Sequence, residues 1–231
     1  MEVYKTEEEQ LEQLKGWLRE NGRSIVFGIV VAVAVVFGWR GWQAQQRTQA
    51  ELASVQFQSL LQSARQLELV PQPSAEQLTT ANTLADGIKR DFPKSTYAQL
   101  AVLLKAQLAV AGGDLTLAEQ ELNWVLQQKP EAGIEALARL RLARVLHAAG
   151  NNDEALAQLH DGGSYAYAYE QARGDILQAK GDLDGARAAY QRSKALAAAL
   201  KEPLSDPLLE VKLRDLGVEP AAPETTAEKS E

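Results

Sequence analysis

Apolar and polar positions follow two different rules along this chain. From Ser24 to Trp39 there is an uninterrupted apolar run of 16 residues without a charge, about 24 Å long as a helix. Carried on to Trp42, with the Arg40 guanidinium snorkelling outward, the run reaches 19 residues, or about 28 Å, close to a hydrocarbon core of about 30 Å. Trp39 and Trp42 then stand where an interfacial aromatic belt belongs, with Arg23 at the opposite end. A cleavable signal needs a short basic leader and an apolar region of roughly 7–15 residues ending in a small-x-small site. Ala32-Val33-Ala34 has that form, but bulky apolar residues continue past it, and the leader carries Glu2, Glu7, Glu8, Glu9, Glu12 and Glu20. The pattern therefore predicts an uncleaved membrane anchor, with a buried core helix as the other reading. Within the run, Gly28 with Ala32 and Ala34 with Gly38 are small-xxx-small pairs, which let helices pack closely in lipid.

Either side of the run the period is helical. Residues 1–23 predict a short amphipathic helix: Thr6 with Glu9 forms a capping box, Leu11, Leu14, Trp17 and Leu18 share a face, and Asn21-Gly22 is the expected stop. It is either a solvated tail touching headgroups or a docking helix for a membrane partner. From Gln43 to Leu69 there is no Gly or Pro, and Ala53, Phe57, Leu60, Ala64 and Leu67 form an apolar seam. Pro71 and Pro73 close that helix. Ser74 with Gln77 opens the next, which runs to about Arg90, and "DFPKS" from Asp91 to Ser95 is a turn. No stretch alternates with a period of two, so no sheet is expected.

The centre of the chain repeats. "GDLTLA" (Gly113 to Ala118), "GNNDEA" (Gly150 to Ala155) and "GDLDGA" (Gly181 to Ala186) share Gly-x-x-x-x-Ala, with glycines 37 and 31 residues apart, either side of the roughly 34-residue period of tetratricopeptide repeats. Each glycine is suited to the left-handed residue that ends a helix, and each alanine to the close approach of two helix backbones. Four residues after each alanine stands Leu122, Leu159 or Tyr190, and Ala106, Ala143 and Gly174 occupy the facing small positions. The early tryptophan of the full signature is missing from all three copies. A last helix after Pro203 and Pro207, reaching about Leu216, would cap the array, and the Pro-, Ala- and Glu-rich tail is expected to be disordered. The predicted fold class is all-α, an N-terminal transmembrane helix followed by a tetratricopeptide-repeat-like α-solenoid. The segments are a leader at 1–23, the span at 24–42, a helical domain at 43–217 and an acidic tail at 218–231.

Charge and composition narrow the chemistry. A formal charge of −7 with no clustered basic face argues against nucleic acid. The absence of cysteine removes disulfides, thiolate metal sites and a cysteine nucleophile. His147 and His160 lack partners at metal-ligand spacing, so no catalytic, metal or cofactor site and no small-molecule substrate is expected. Asp114, Asp153, Asp182 and Asp184 follow turn glycines and read as helix caps. "DGGS" from Asp161 to Ser164 reads as a turn with Ser164 as N-cap. In "YAYAY", Tyr165 and Tyr169 share a face and Tyr167 points elsewhere, leaving core packing or partner contact open. Registering the repeats on their glycines puts Gln107, Arg144, His147, Gln171, Asp175 and Gln178 on the face built by the first helix of each pair, a candidate partner-binding surface. Leu103, Leu140 and Gln171 stand where carboxylate-clamping repeats hold Lys and Asn, so selectivity for a free carboxyl terminus is not expected.

Several short strings also occur together: the "ENG" turn (Glu20 to Gly22) entering a Val- and Gly-containing span, "GWR-x-W" (Gly38 to Trp42), "LRLARV" (Leu140 to Val145) and "KGD-x-x-GAR-x-A" (Lys180 to Ala188). In order and spacing, from Met1 to about Leu216, they resemble the YfgM family, the ancillary subunit of the bacterial SecYEG translocon. The resemblance implies a cytoplasmic amino terminus, one span of the cell inner membrane and a periplasmic repeat domain. It also implies contact with SecYEG and with a membrane-anchored periplasmic chaperone of the PpiD type that receives emerging secretory proteins. The alternative function it carries is a membrane-tethered scaffold for stress-response signalling through an RcsB-type regulator. Basic residues lean the same way on topology: Lys15, Arg19 and Arg23 precede the span, against Arg40 and Arg47 after it.

Overall fold

A computed structural model describes residues 7–69, 74–200 and 208–217 of the chain. Thr6, Pro71, Pro73, Pro203, Pro207 and the segment from 218 onward, on which several expectations fall, lie outside the described residues. The described chain is helical throughout, without a strand, and divides into two units, Met1–Leu52 and Ala53–Glu231.

Helix α1 runs from Glu7 to Glu68 without interruption. The expected stop at Asn21-Gly22 is not there. Asn21 returns its side-chain amide to the Trp17 carbonyl at 3.2 Å, so its polar group is satisfied inside the helix. Gly22 costs a helix interior only about 1 kcal/mol, too little to break a segment of good helix formers. In the first unit the apolar run stands bare: Phe27 is 71 % exposed and Phe37 69 %. Trp39 and Trp42 lean together with ring centroids 5.2 Å apart.

The second unit begins with the far end of α1. Its seam is buried at Ala53, Leu60, Ala64 and Leu67. Leu60, Leu67 and the half-buried Phe57 pack with α2 (Ala75–Asp91) and α3 (Thr96–Ala111) in one core cluster. The Ser74 capping box that starts α2 is complete, with Ser74 Oγ accepting from the Gln77 amide and Gln77 Oε1 from the Ser74 amide. Then come α4 (Leu115–Gln127), α5 (Ala132–Ala148), α6 (Asn152–Gln158), a 3-10 turn (Gly163–Tyr165), α7 (Ala166–Ala179), α8 (Leu183–Leu200) and α9 (Leu209–Asp215). Ser164 is not the N-cap of α7. It sits inside the 3-10 turn, which enters α7 through Tyr165 with no side-chain cap.

The three repeat glycines do what their spacing implies. Gly113, Gly150 and Gly181 have φ of 81, 88 and 83°. At each, the next residue's amide reaches back five residues, Asp114 to Ala109, Asn151 to Leu146 and Asp182 to Leu177, while the glycine's amide bonds the carbonyl three residues back. This paired closure satisfies helix-end carbonyls and reverses the chain. Asp114 and Asp182 then cap the following helices through the Leu117 and Gly185 amides. Asp153 and Asp184 lie in first turns and pair with Lys180 and Arg187 instead. The reversal brings Ala118, Ala155 and Ala186, each with no exposed surface, against the preceding helix, with Leu122, Leu159 and Tyr190 buried beside them.

Two kinds of polar tie fasten successive pairs. Lys105 is buried on α3 and bridges Asp86 of α2 at 2.6 Å and Glu121 of α4 at 2.8 Å. Glu121 also accepts from Lys89 at 2.5 Å, and the Lys89 ammonium lies 4.8 Å from the Trp124 ring centroid. Elsewhere a side chain reaches a backbone carbonyl on another helix: Arg141 to Leu103, Tyr169 to Ala136 and Ser193 to Tyr167, at 2.9, 2.9 and 2.7 Å. The short α9 closes the end through Leu209, Leu213 and Leu216, packed with Ala186 and Tyr190.

Two outcomes are expected. A Cβ on Gly174 would run into the Tyr190 ring, whose hydroxyl is held by Asp175 and Gln178 and so has no room to swing. Gly174→Ala gains up to about 1 kcal/mol of helix propensity but overpacks the site by about 1–3 kcal/mol. Its melting temperature is expected to fall, and adding Tyr190→Leu should recover part of the loss.

The second outcome is alkaline sensitivity. Burial opposes the Lys105 charge, but hydrogen bonds to Asp86 and Glu121 and their charges outweigh it and hold Lys105 above its ordinary value. Burial likewise raises the Tyr169 hydroxyl. Both groups stabilise the fold below their unfolded values, and that stability is lost as pH rises through the folded ones. Denaturant midpoints should therefore be level near neutrality and fall above about pH 10. Lys105→Met should show a shallower alkaline fall than the parent; an equal slope would remove Lys105 as its source.

Candidate interaction surface

The face built by α3, α5 and α7 was the expected site, and the structure splits it. Gln107 on α3 and Arg144 on α5 are exposed and face one groove of about 300 Å³. Its floor is Ala106, Leu122 and Val145, all buried, and its rim includes Val110 and Ala148. Arg141 also lines it, one helical turn before Arg144. Its guanidinium donates through Nη1 to the Leu103 carbonyl at 2.9 Å. Burial lowers Arg141 from its ordinary value; the nearby Tyr165 opposes that shift and the like charge of Arg144 adds to it. A guanidinium remains charged at neutral pH in spite of such a shift.

The other expected residues do not join this groove. His147 is half-buried, and its Nδ1 lies 2.7 Å from Asn152 Oδ1 across the α5–α6 turn. Gln171 is only 6 % exposed and belongs to the interior of α7. The Tyr190 hydroxyl donates to Asp175 Oδ1 at 2.6 Å and lies 3.0 Å from the Gln178 side-chain amide, and Asp175 is also bridged by Lys212 of α9 at 2.8 Å. The carboxyl-terminal helix thus engages the α7 part of the face. Tyr169 is buried with its hydroxyl on Ala136, so no partner can reach it, and the half-buried Tyr165 and Tyr167 pack on the same core. In the first unit Gly28, Ala32, Ala34 and Gly38 are all exposed, and a Cβ at Gly28 or Gly38 would meet nothing within 4 Å. Close approach of another helix there is sterically open.

Sequence reasoning missed Arg141. Its spacing to Arg144 on a helix was visible, but the acceptor on α3 that draws it inward was not. It also missed the Lys105–Glu121 pair, whose residues read as ordinary solvated charges until two helices bury them. Among the described residues no group of three or more His, Asp or Glu side chains could hold a metal ion.

A tetratricopeptide repeat-like domain family matches residues 15–218. An ancillary SecYEG translocon subunit of Haemophilus influenzae is 32 % identical over 206 residues, which are 88 % of this chain and 96 % of that relative. The protein of the same name from Aggregatibacter actinomycetemcomitans is 34 % identical over 212 residues, covering 91 % and 97 %. That of Escherichia coli is 30 % identical over 222 residues, covering 94 % and 100 %. No solved structure matches the chain significantly. The family match covers most of a chain that aligns with these relatives nearly end to end: it belongs to the tetratricopeptide repeat-like family, together with relatives named ancillary SecYEG translocon subunits.

Proposed function

We propose that this chain is itself an ancillary subunit of the SecYEG translocon, a non-enzymatic, membrane-anchored protein-binding module. The observation that carries the reading is the bare apolar helix. No residue of the 18-residue window of α1 that is apolar enough to cross a membrane is buried in the protein, and so large an exposed apolar surface suits lipid. On this reading residues 24–42 span the cell inner membrane, 1–23 are the cytoplasmic leader, 43–217 form the periplasmic interaction domain and 218–231 are a tail. The basic bias before the span supports that orientation, and the names of the relatives support the channel as partner. By family resemblance the repeat domain passes emerging secretory chains to a membrane-anchored chaperone of the PpiD type.

Crosslinking followed by purification from detergent extract is expected to recover the translocon channel together with the chaperone. A scaffold recovered without the channel would overturn the reading and favour the signalling alternative. Protease added to spheroplasts should remove the repeat domain while leaving it intact in whole cells; protection in spheroplasts would reverse the topology. Gly28→Leu with Ala32→Leu should lower recovery of the membrane partner without affecting insertion, because the bulk closes the approach left open along the span.

A further inference from the structure

The groove between α3 and α5 combines an apolar floor with two cations. Its floor is apolar and already shaped, with room for a side chain to enter from a partner. Beside that floor stand two guanidinium groups for which no described carboxylate serves as counter-ion. Most of the domain's other described cations are paired, the exposed Arg65, Lys94, Lys129 and Arg214 being exceptions. Lys89 and Lys105 share Glu121, Arg139 has Glu135, Arg173 and Arg192 share Glu170, Arg187 has Asp184, and Lys194 has Glu210. In a chain with net charge −7, acidic groups are plentiful. Arg141 and Arg144 nevertheless lie one turn apart on one helix, where like charges repel, and Arg141 is partly withdrawn from water with a carbonyl as its hydrogen-bond partner. A buried charge is costly unless it is paired, and a guanidinium fork with further N–H donors is built for a carboxylate.

We infer that this groove receives an internal segment of a partner protein that presents a side-chain carboxylate to Arg141 and Arg144 and an adjacent aliphatic side chain to the Leu122 floor. The inference rests on the reading of the domain as a protein-binding module. Helix polarity separates a single carboxylate from a multiply charged phosphate. Gln107 and Val110 lie near the carboxyl end of α3, and Arg144 and Ala148 near that of α5, where the dipoles are negative and amide donors point away. Leu115 at the start of α4 also lines the groove, but the Asp114 carboxylate caps that helix at the Leu117 amide and places a negative charge there. Two arginines offset that field for one charge. An internal carboxylate is favoured over a chain terminus because Leu103 and Leu140 are buried apolar residues at the positions where a terminal-carboxylate clamp would hold donors.

The test uses the full chain in detergent micelles and a display library of random segments, each about twelve residues long and held between fixed linkers at both ends so that no free carboxyl terminus exists. Selected segments should be rich in Asp or Glu beside Leu, Ile, Val or Met. Their binding should weaken tenfold or more with Arg144→Glu, whose position is exposed, and should weaken between about 50 and about 500 mM salt. Segments with the carboxylate replaced by Lys should bind Arg144→Glu better than the parent, a reversal that a structural lesion could not produce. If Arg144→Glu loses its helical circular dichroism, Gln107→Glu on the opposite rim is the second variant, with the same expected loss. Selection without acidic residues, unchanged binding by the variants, or binding only of segments with a free carboxyl terminus would overturn the inference. So would a tenfold gain on removing residues 218–231, since the chain's own acidic tail would then be the occupant. Segment binding without recovery of the translocon would sink the proposed function and leave the groove assignment standing; recovery without segment binding would do the reverse.

Discussion

The close approach of two helix backbones at Ala118, Ala155 and Ala186 is the contact on which the rest of the repeat domain is built. It is possible only because a glycine in the left-handed region turns the chain within a few residues and satisfies the carbonyls of the helix it ends. A larger residue at the alanine would push the second helix outward, and with it the Leu122, Leu159 or Tyr190 side chain that fills the next layer. The third copy shows how tightly these choices are coupled. Its layer residue is the large Tyr190, and the facing position has shrunk to Gly174 to receive the ring.

Polar groups register the stack that this contact creates. Apolar layers of Ala and Leu resist sliding only weakly, because many offsets bury similar area. A buried lysine held between two carboxylates, or a hydroxyl or guanidinium reaching one carbonyl on another helix, has a single geometry. The ties from α5 and α7 set which surfaces are consumed by the fold. At α7 the consumption is heavy, since Asp175 and Gln178 hold Tyr190 and Asp175 also holds α9. At α3 and α5 it stops short, and a groove with two cations on its side is left open. The anchor unit obeys the opposite solvent rule: its helix satisfies every internal amide within itself and turns apolar side chains outward, as a segment surrounded by lipid must.

The amino-acid order by itself determined which segments are helices, where the repeat turns fall, and that one segment suits a membrane. Those properties depend on residues near one another in the chain: an unbroken apolar run, a Ser74–Gln77 box, a Gly and an Ala at a constant interval. Local signals were weaker where their cost is small. Asn21-Gly22 was overridden by its helical flanks, and Ser164 was absorbed into a 3-10 turn. The availability of polar residues was decided only by tertiary structure. Gln107, Arg144, Gln171 and Asp175 look alike along a helix, yet two line an open groove, one is interior and one holds a neighbouring helix. The fate of Asp175 was set by groups 15 and 37 residues away, the Tyr190 hydroxyl and the Lys212 ammonium, as that of Arg141 was by the Leu103 carbonyl 38 residues away. Helix formation is governed by neighbours in the chain, whereas burial and ion pairing are governed by neighbours in space.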